Sequence, residues 1–152
     1  TPGEKLGVFL SDEWQGDIVA NGLFGIYGTL QSTPTPGFSN AAIPIAEVSQ
    51  VQTGPAQIYT VIDGEKVEAF DINIVKIMEN YKSSGRGMIV EVTDQQLIDT
   101  TSGIVQGMSG SPLIQNGMLI GAVTHVFIND PLYGYACFAQ WMWEESSSSV
   151  SR

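Results

Sequence analysis

Residues 107–125, GMSGSPLIQNGMLIGAVTH, join a glycine-framed serine to a hairpin signature without a break. Glycines at 107 and 110 allow tight, partly left-handed backbone on both sides of Ser109. With that freedom the amides of Gly107 and Ser109 are able to turn toward one point and stabilise a negatively charged oxygen beside the hydroxyl of the same serine. A loop of this kind suits acyl transfer. Immediately after it, Asn116-Gly117 is the dipeptide that a two-residue type I′ turn prefers, and the runs Leu113-Ile114 and Met118–Ile120 flank it as paired strands. The serine is therefore expected on a rigid antiparallel support.

Upstream, the same alternation recurs. The segment AQIYTVIDGEKVEAFDINIVKIM, residues 56–78, sets Asp63-Gly64 between two alternating runs and predicts two long antiparallel strands joined by a hairpin. Residues 87–92 predict another strand ending at Thr93-Asp94, after which QQLIDTT has room for a turn or two of helix capped by Thr93 or Asp94. Residues 135–138 read as a final strand and AQWMWEE as a short helix or extended cover; SSSSVSR, residues 146–152, reads as a disordered polar tail. On the N-terminal side, residues 7–11 and LFGIYGTL at 23–30 look like barrel strands, and QSTPTPGFSN at 31–40 is an irregular loop whose prolines and glycine forbid regular pairing. Because 17 glycines and 7 prolines punctuate many short segments in 152 residues, the expected architecture is one all-β domain, residues 1–145, ahead of the tail.

Composition excludes several functions. Sixteen acidic residues against six basic ones leave a formal charge of −10, so nucleic acid is repelled at long range and is not an expected partner. No apolar run approaches the roughly 18 residues that a membrane-spanning helix needs. One histidine, one cysteine and scattered carboxylates show no metal-ligand spacing, so no metal is expected. Acyl transfer at a serine needs no cofactor either. Cys137 lies in an apolar, strand-like stretch, where a buried small hydrophobe is a simpler reading than a reactive thiol. A chain that starts at Thr1 without a charged-then-apolar leader is expected to be a portion of something longer.

A serine hydroxyl is a weak nucleophile until a neighbouring base accepts its proton. The one histidine, His125, lies a hairpin and a strand beyond Ser109. It is either a candidate base or a side chain that shapes a subsite. Asp94 ends a strand ahead of the serine loop, where its carboxylate either caps a helix or orients an imidazole. Asp99 and Asp130 are further candidates in turn-like polar settings.

The segment GIVQGMSGSPLIQNGMLIGAVTHVFINDPLYGY, residues 103–135, resembles the serine region of the stage IV sporulation protein B peptidases, serine proteases of spore-forming bacteria. PGEKLG at 2–7, GLFGIYGTL at 22–30, GPAQIYTVIDGEKVEAFDINIV at 54–75 and GMIVEVTD at 87–94 extend the likeness over nearly the whole chain. More distantly, GMSGSPL and the following GMLIGAVTH are similar to the serine loop and next strand of chymotrypsin-like proteases. The resemblance implies a chymotrypsin-like antiparallel barrel, the C-terminal one, with the N-terminal part of the protease missing or incomplete. It implies Ser109 as nucleophile, the Gly107 and Ser109 amides as oxyanion hole, and Asp94 as an aspartate the family needs for activity. His125 then belongs to a substrate subsite.

The same resemblance places the catalytic histidine in a glycine-histidine-valine segment upstream of Thr1, itself preceded by a PDZ-like module. The expected partners are therefore that N-terminal part and a protein or peptide substrate. Without the histidine the chain alone is expected to be nearly inert, since such a loss costs on the order of 10⁶ in kcat. By resemblance, the intact enzyme is secreted across the forespore membrane into the space between forespore and mother cell. There it would cleave a membrane-associated regulator during sigma-factor activation. Two other readings fit the residues: a non-catalytic, protease-like module that binds peptide through its cleft, and a structural spore or envelope protein that assembles through β edges.

Overall fold

Strands with one apolar face must bury it, and here the sheet does so by closing on itself. The structure is a computed structural model and describes residues 16–31 and 41–149. Strands β1 (Gly16–Gly22) and β2 (Gly25–Leu30) pair with each other as a separate ribbon. Strands β3 (Gly54–Val61), β4 (Val67–Ile77), β5 (Met88–Val92), β6 (Pro112–Gln115), β7 (Met118–Val126) and β8 (Tyr133–Phe138) form an antiparallel barrel. Its order is β3-β4-β5-β8-β7-β6, closed by the pairing of β6 with β3. Alternate residues point inward, among them Ile58 of β3, Phe70, Ile72 and Ile74 of β4, and Val90 of β5. Gln115 ends β6 inside the barrel without cost, because its amide exchanges hydrogen bonds with both the N–H and carbonyl of Gln52 and donates to the Pro55 carbonyl.

The hairpin at 116–117 forms as expected. Asn116 and Gly117 have φ of 52° and 74°, the two positive angles a type I′ turn demands. Asparagine tolerates the left-handed region where alanine does not, so Asn116→Ala is expected to lower stability by about 1–2 kcal/mol while Asn116→Gly stays near wild type. Urea unfolding of the two variants checks this. The upstream hairpin also forms, but Val61 pairs with Val67, so residues 62–66 make a five-residue loop in place of a tight Asp63-Gly64 turn.

The segment LFGIYGTL departs from expectation. Residues 23–24 are a turn, and the strand that follows pairs only with β1, outside the barrel. The reason is topological: once β3 and β6 pair, the barrel has no free edge for a further strand. The ribbon is instead held by α2 (Ala139–Ser149), the helix that follows β8. Trp141 of α2 packs edge-on against Phe138 at 4.8 Å and meets Phe24 at 5.6 Å. Tyr27 donates its hydroxyl to Glu145 at 2.8 Å. Burial, and then that carboxylate, hold the phenol far above its ordinary pKa.

Helix α2 continues through Ser149, four residues into the expected polar tail, and the Ser146, Ser147 and Ser148 hydroxyls bond back to the Trp143 and Glu144 carbonyls. Residues 7–11, 32–40 and 150–152 lie outside the described residues. No helix among those described is long and apolar enough to cross a membrane.

Candidate active site

Three buried side chains, Leu97, Ile104 and Met108, pin the chain between β5 and β6. It leaves β5 through Asp94, the N-cap of α1 (Gln95–Thr101). Asp94 Oδ1 accepts from the Leu97 N–H at 3.1 Å and Oδ2 accepts from the Asp71 N–H of β4 at 3.2 Å. The Asp71 carbonyl accepts in turn from the Thr93 and Asp94 amides. The start of α1 is thus stapled to the barrel wall. Its far end closes at Ser102, after which the Ile104 N–H donates to the Pro131 carbonyl at 2.7 Å, tying the segment to the turn between β7 and β8.

Two consecutive turns then present Ser109. The Met108 N–H donates to the Val105 carbonyl at 3.1 Å and the Ser111 N–H to the Met108 carbonyl at 3.0 Å. Gly107 and Gly110 occupy the third position of each turn with φ of 104° and 90°, as type II turns require. Met108, between them, is drawn into the core, and this leaves Gly107 and Ser109 exposed. Of the amides from 107 to 111, those of Met108, Gly110 and Ser111 are committed to carbonyls. The amides of Gly107 and Ser109 have no acceptor among the described residues.

Ser109 Oγ donates to the Thr124 carbonyl at 3.2 Å. That carbonyl is available because the β7–β8 register shifts between Val123 and His125, leaving Thr124 as the extra residue of a bulge, with its own hydroxyl donating to the Tyr135 carbonyl. Neither Thr124 nor the bulge carries a sequence signal. A carbonyl orients a hydroxyl but cannot take its proton. His125, exposed on the next position of β7, makes no hydrogen bond to Ser109 and lines a groove of about 460 Å³ together with Arg86, Phe127, Ile128 and Tyr135. No hydrogen bond joins Asp94, Ser109 and His125 among the described residues.

The other candidates serve local structure. Asp99 accepts from the Gln95 side chain at 2.7 Å on exposed α1, and Asp130 accepts from the Leu132 N–H at 3.2 Å within its turn. Cys137 is buried and free; burial pushes its thiol pKa up, which disfavours a reactive thiolate. Among the described residues no three histidine, cysteine, aspartate or glutamate side chains gather as a metal site.

Solved structures similar to this chain are proteases. The Rv3671c protease from M. tuberculosis in its active form matches with a TM-score of 0.55 and 18% identity, over 88% of this chain and 58% of that one. Its inactive form gives 0.52 and 20%, over 90% and 65%. The HtrA-type protease AlgW with decapeptide gives 0.62 and 15%, over 90% of this chain and 41% of that one. The chain therefore spans less than two thirds of each of these structures. No curated protein matches it. Likeness at such identity speaks to the barrel, which is that of trypsin- and HtrA-like proteases. What assigns the chain is a profile match that runs from residue 1 to residue 143, and by it the chain belongs to the SpoIVB peptidase S55 family.

Proposed function

We propose that this chain is the serine-bearing part of a serine endopeptidase. Ser109 attacks the scissile carbonyl, and the Gly107 and Ser109 amides receive the negative charge that develops on its oxygen. The observation that carries this reading is the pattern of commitments in the loop: the Ser109 hydroxyl is exposed, and the amides of Gly107 and Ser109 are the uncommitted ones among the described residues. The base is a histidine supplied by the N-terminal part of the same protease, since the hydroxyl here meets only a carbonyl. Asp94 holds the serine loop through α1, and the isolated chain is close to inert.

Substrates are proteins or peptides that lie along β7 beyond the end of its pairing with β6, which stops at Pro112 and Ala122. Membership of the family supports a sporulation role: cleavage of a membrane-associated regulator, in the space between forespore and mother cell, during sigma-factor activation.

A second reading, a protease-like module that binds peptide without cleaving it, draws on the same carbonyl contact, which leaves Ser109 unactivated. A fluorophosphonate probe applied to the full-length protein separates the two. Labelling at Ser109 is expected; folded full-length protein that stays unlabelled would overturn the endopeptidase reading.

A further inference from the structure

The chain has sixteen acidic residues and six basic ones, so an unpaired cation is conspicuous. Lys66 and Lys82 are paired with Glu68 and Glu144. Like Lys76, Arg86 makes no ion pair among the described residues. Its guanidinium instead lies over the Tyr135 ring, 4.6 Å from the centroid, and Tyr135 packs on Phe127 at 4.7 Å between centroids. Stacking holds the planar group in place without using up its N–H donors.

The position of this arginine matters more than its pairing. Arg86, Tyr135 and Phe127 line the same groove as His125, one residue along β7 from the carbonyl that accepts the Ser109 hydroxyl. From Thr124 to Phe127 a strand advances about 10 Å. A substrate extended along β7 from Ser109 thus lays a side chain two or three residues from the scissile bond into the groove. Asp130, the groove's carboxylate, is turned into its own turn by the Leu132 amide. Repulsion from the remaining acidic surface is screened beyond roughly 8–10 Å at physiological salt, whereas a guanidinium in contact is not.

We infer that Arg86, stacked on Tyr135, is a specificity-determining residue that receives an acidic side chain of the substrate. The carboxylate lies against the guanidinium edge while its methylenes rest on the Tyr135 and Phe127 rings. A planar fork held flat on an aromatic suits a two-pronged carboxylate better than a lysine would. This inference rests on the endopeptidase reading for its cleavage arm, but its binding arm does not.

The test uses blocked nonapeptides that differ only by Glu or Gln at one position, scanned along the peptide. Their binding to the full-length protease carrying Ser109→Ala is followed by fluorescence anisotropy. At one or two adjacent positions the Glu peptide is expected to bind at least tenfold tighter than its Gln partner, with the advantage shrinking as salt rises. Adding Arg86→Gln should level the pair, Arg86→Lys should retain part of the preference, and Arg86→Glu should favour a Lys peptide. With Ser109 intact, Arg86→Gln should raise KM for the Glu peptide much more than it lowers kcat. Equal binding of Glu and Gln peptides, binding by neither, or a preference that survives Arg86→Gln overturns the inference. Fluorophosphonate labelling of the unmutated protein reports on the endopeptidase reading separately.

Discussion

Full-length protease carrying Ser109→Ala is expected to lose on the order of 10⁵–10⁶ in kcat and all fluorophosphonate labelling, while its melting temperature stays within a degree or two of wild type. The two halves of this expectation come from different observations. Stability is spared because the side chain is exposed and its one hydrogen bond, to the Thr124 carbonyl, is replaced by water when the hydroxyl is removed. Activity is not spared, since on the proposed mechanism this hydroxyl is the attacking group. A residual rate of roughly 10³–10⁴ over water should remain, as the Gly107 and Ser109 amides do not depend on the side chain. Were Ser109 kept only for loop geometry, the same substitution would weaken peptide binding and lower the melting temperature, and there would be no turnover to lose. Single-turnover cleavage and calorimetry on the same preparation distinguish these cases.

The barrel is legible in the sequence where local chemistry and long-range pairing agree. At Asn116-Gly117 the turn needs two left-handed residues and the chain supplies the two types that take that conformation, so the pairs next to the turn, Gln115 with Met118 and Ile114 with Leu119, follow from the dipeptide; the shift that then pairs Leu113 with Gly121 does not. The alternation in β3 and β4 works the same way over Ala56 and Ile58 and over Phe70, Ile72 and Ile74, which point inward at period two; Thr60 is the polar inward residue of β3, and the period breaks where β4 shifts register between Ile74 and Lys76. Agreement ends at LFGIYGTL. Those residues have strand character, but nothing in them says which sheet they join; that is decided by the closure of β3 on β6 and by the docking of Phe24 and Tyr27 on α2, more than 110 residues away. Local propensity also misreads the serine run at 146–149, which continues the helix although back-bonding hydroxyls disfavour it.

The site divides along similar lines. The turns around Ser109 follow from glycines at 107 and 110, each required by its own φ, and the exposure of the serine follows from the burial of Met108 beside it. The acceptor of its hydroxyl does not follow, since Thr124 becomes a bulge residue only through the pairing of β7 with β8. Arg86 is hidden for the same reason. It precedes β5 by two residues and meets Tyr135 only because β5 and β8 are neighbours in the barrel. Residues that act through their own backbone are readable from sequence here, and residues that act through strand adjacency are not.

Asp94→Ala is expected to cost about 2 kcal/mol of stability, which is more than a helix cap alone is worth, because two amides lose their acceptor at once. The Leu97 N–H loses its cap, and the Asp71 N–H, facing the carboxylate from β4, loses its partner too. Asp94→Asn keeps an oxygen for Leu97 and turns a donor toward Asp71, so it should cost about half as much. If Asp94 acts by holding α1, and through Ile104 and Met108 the serine loop, then loss of kcat/KM in the two variants follows the same order, Ala worse than Asn. It stays near tenfold at temperatures where the protein is folded. An aspartate that orients the catalytic imidazole gives the opposite ranking of readouts: asparagine there disturbs the tautomer and costs about 10⁴ in kcat with little change in melting. The geometry favours the first outcome, since both carboxylate oxygens already face backbone N–H groups of the barrel and of α1, and a drop of 10⁴ at unchanged stability in Asp94→Asn would show that one of them serves the imidazole as well.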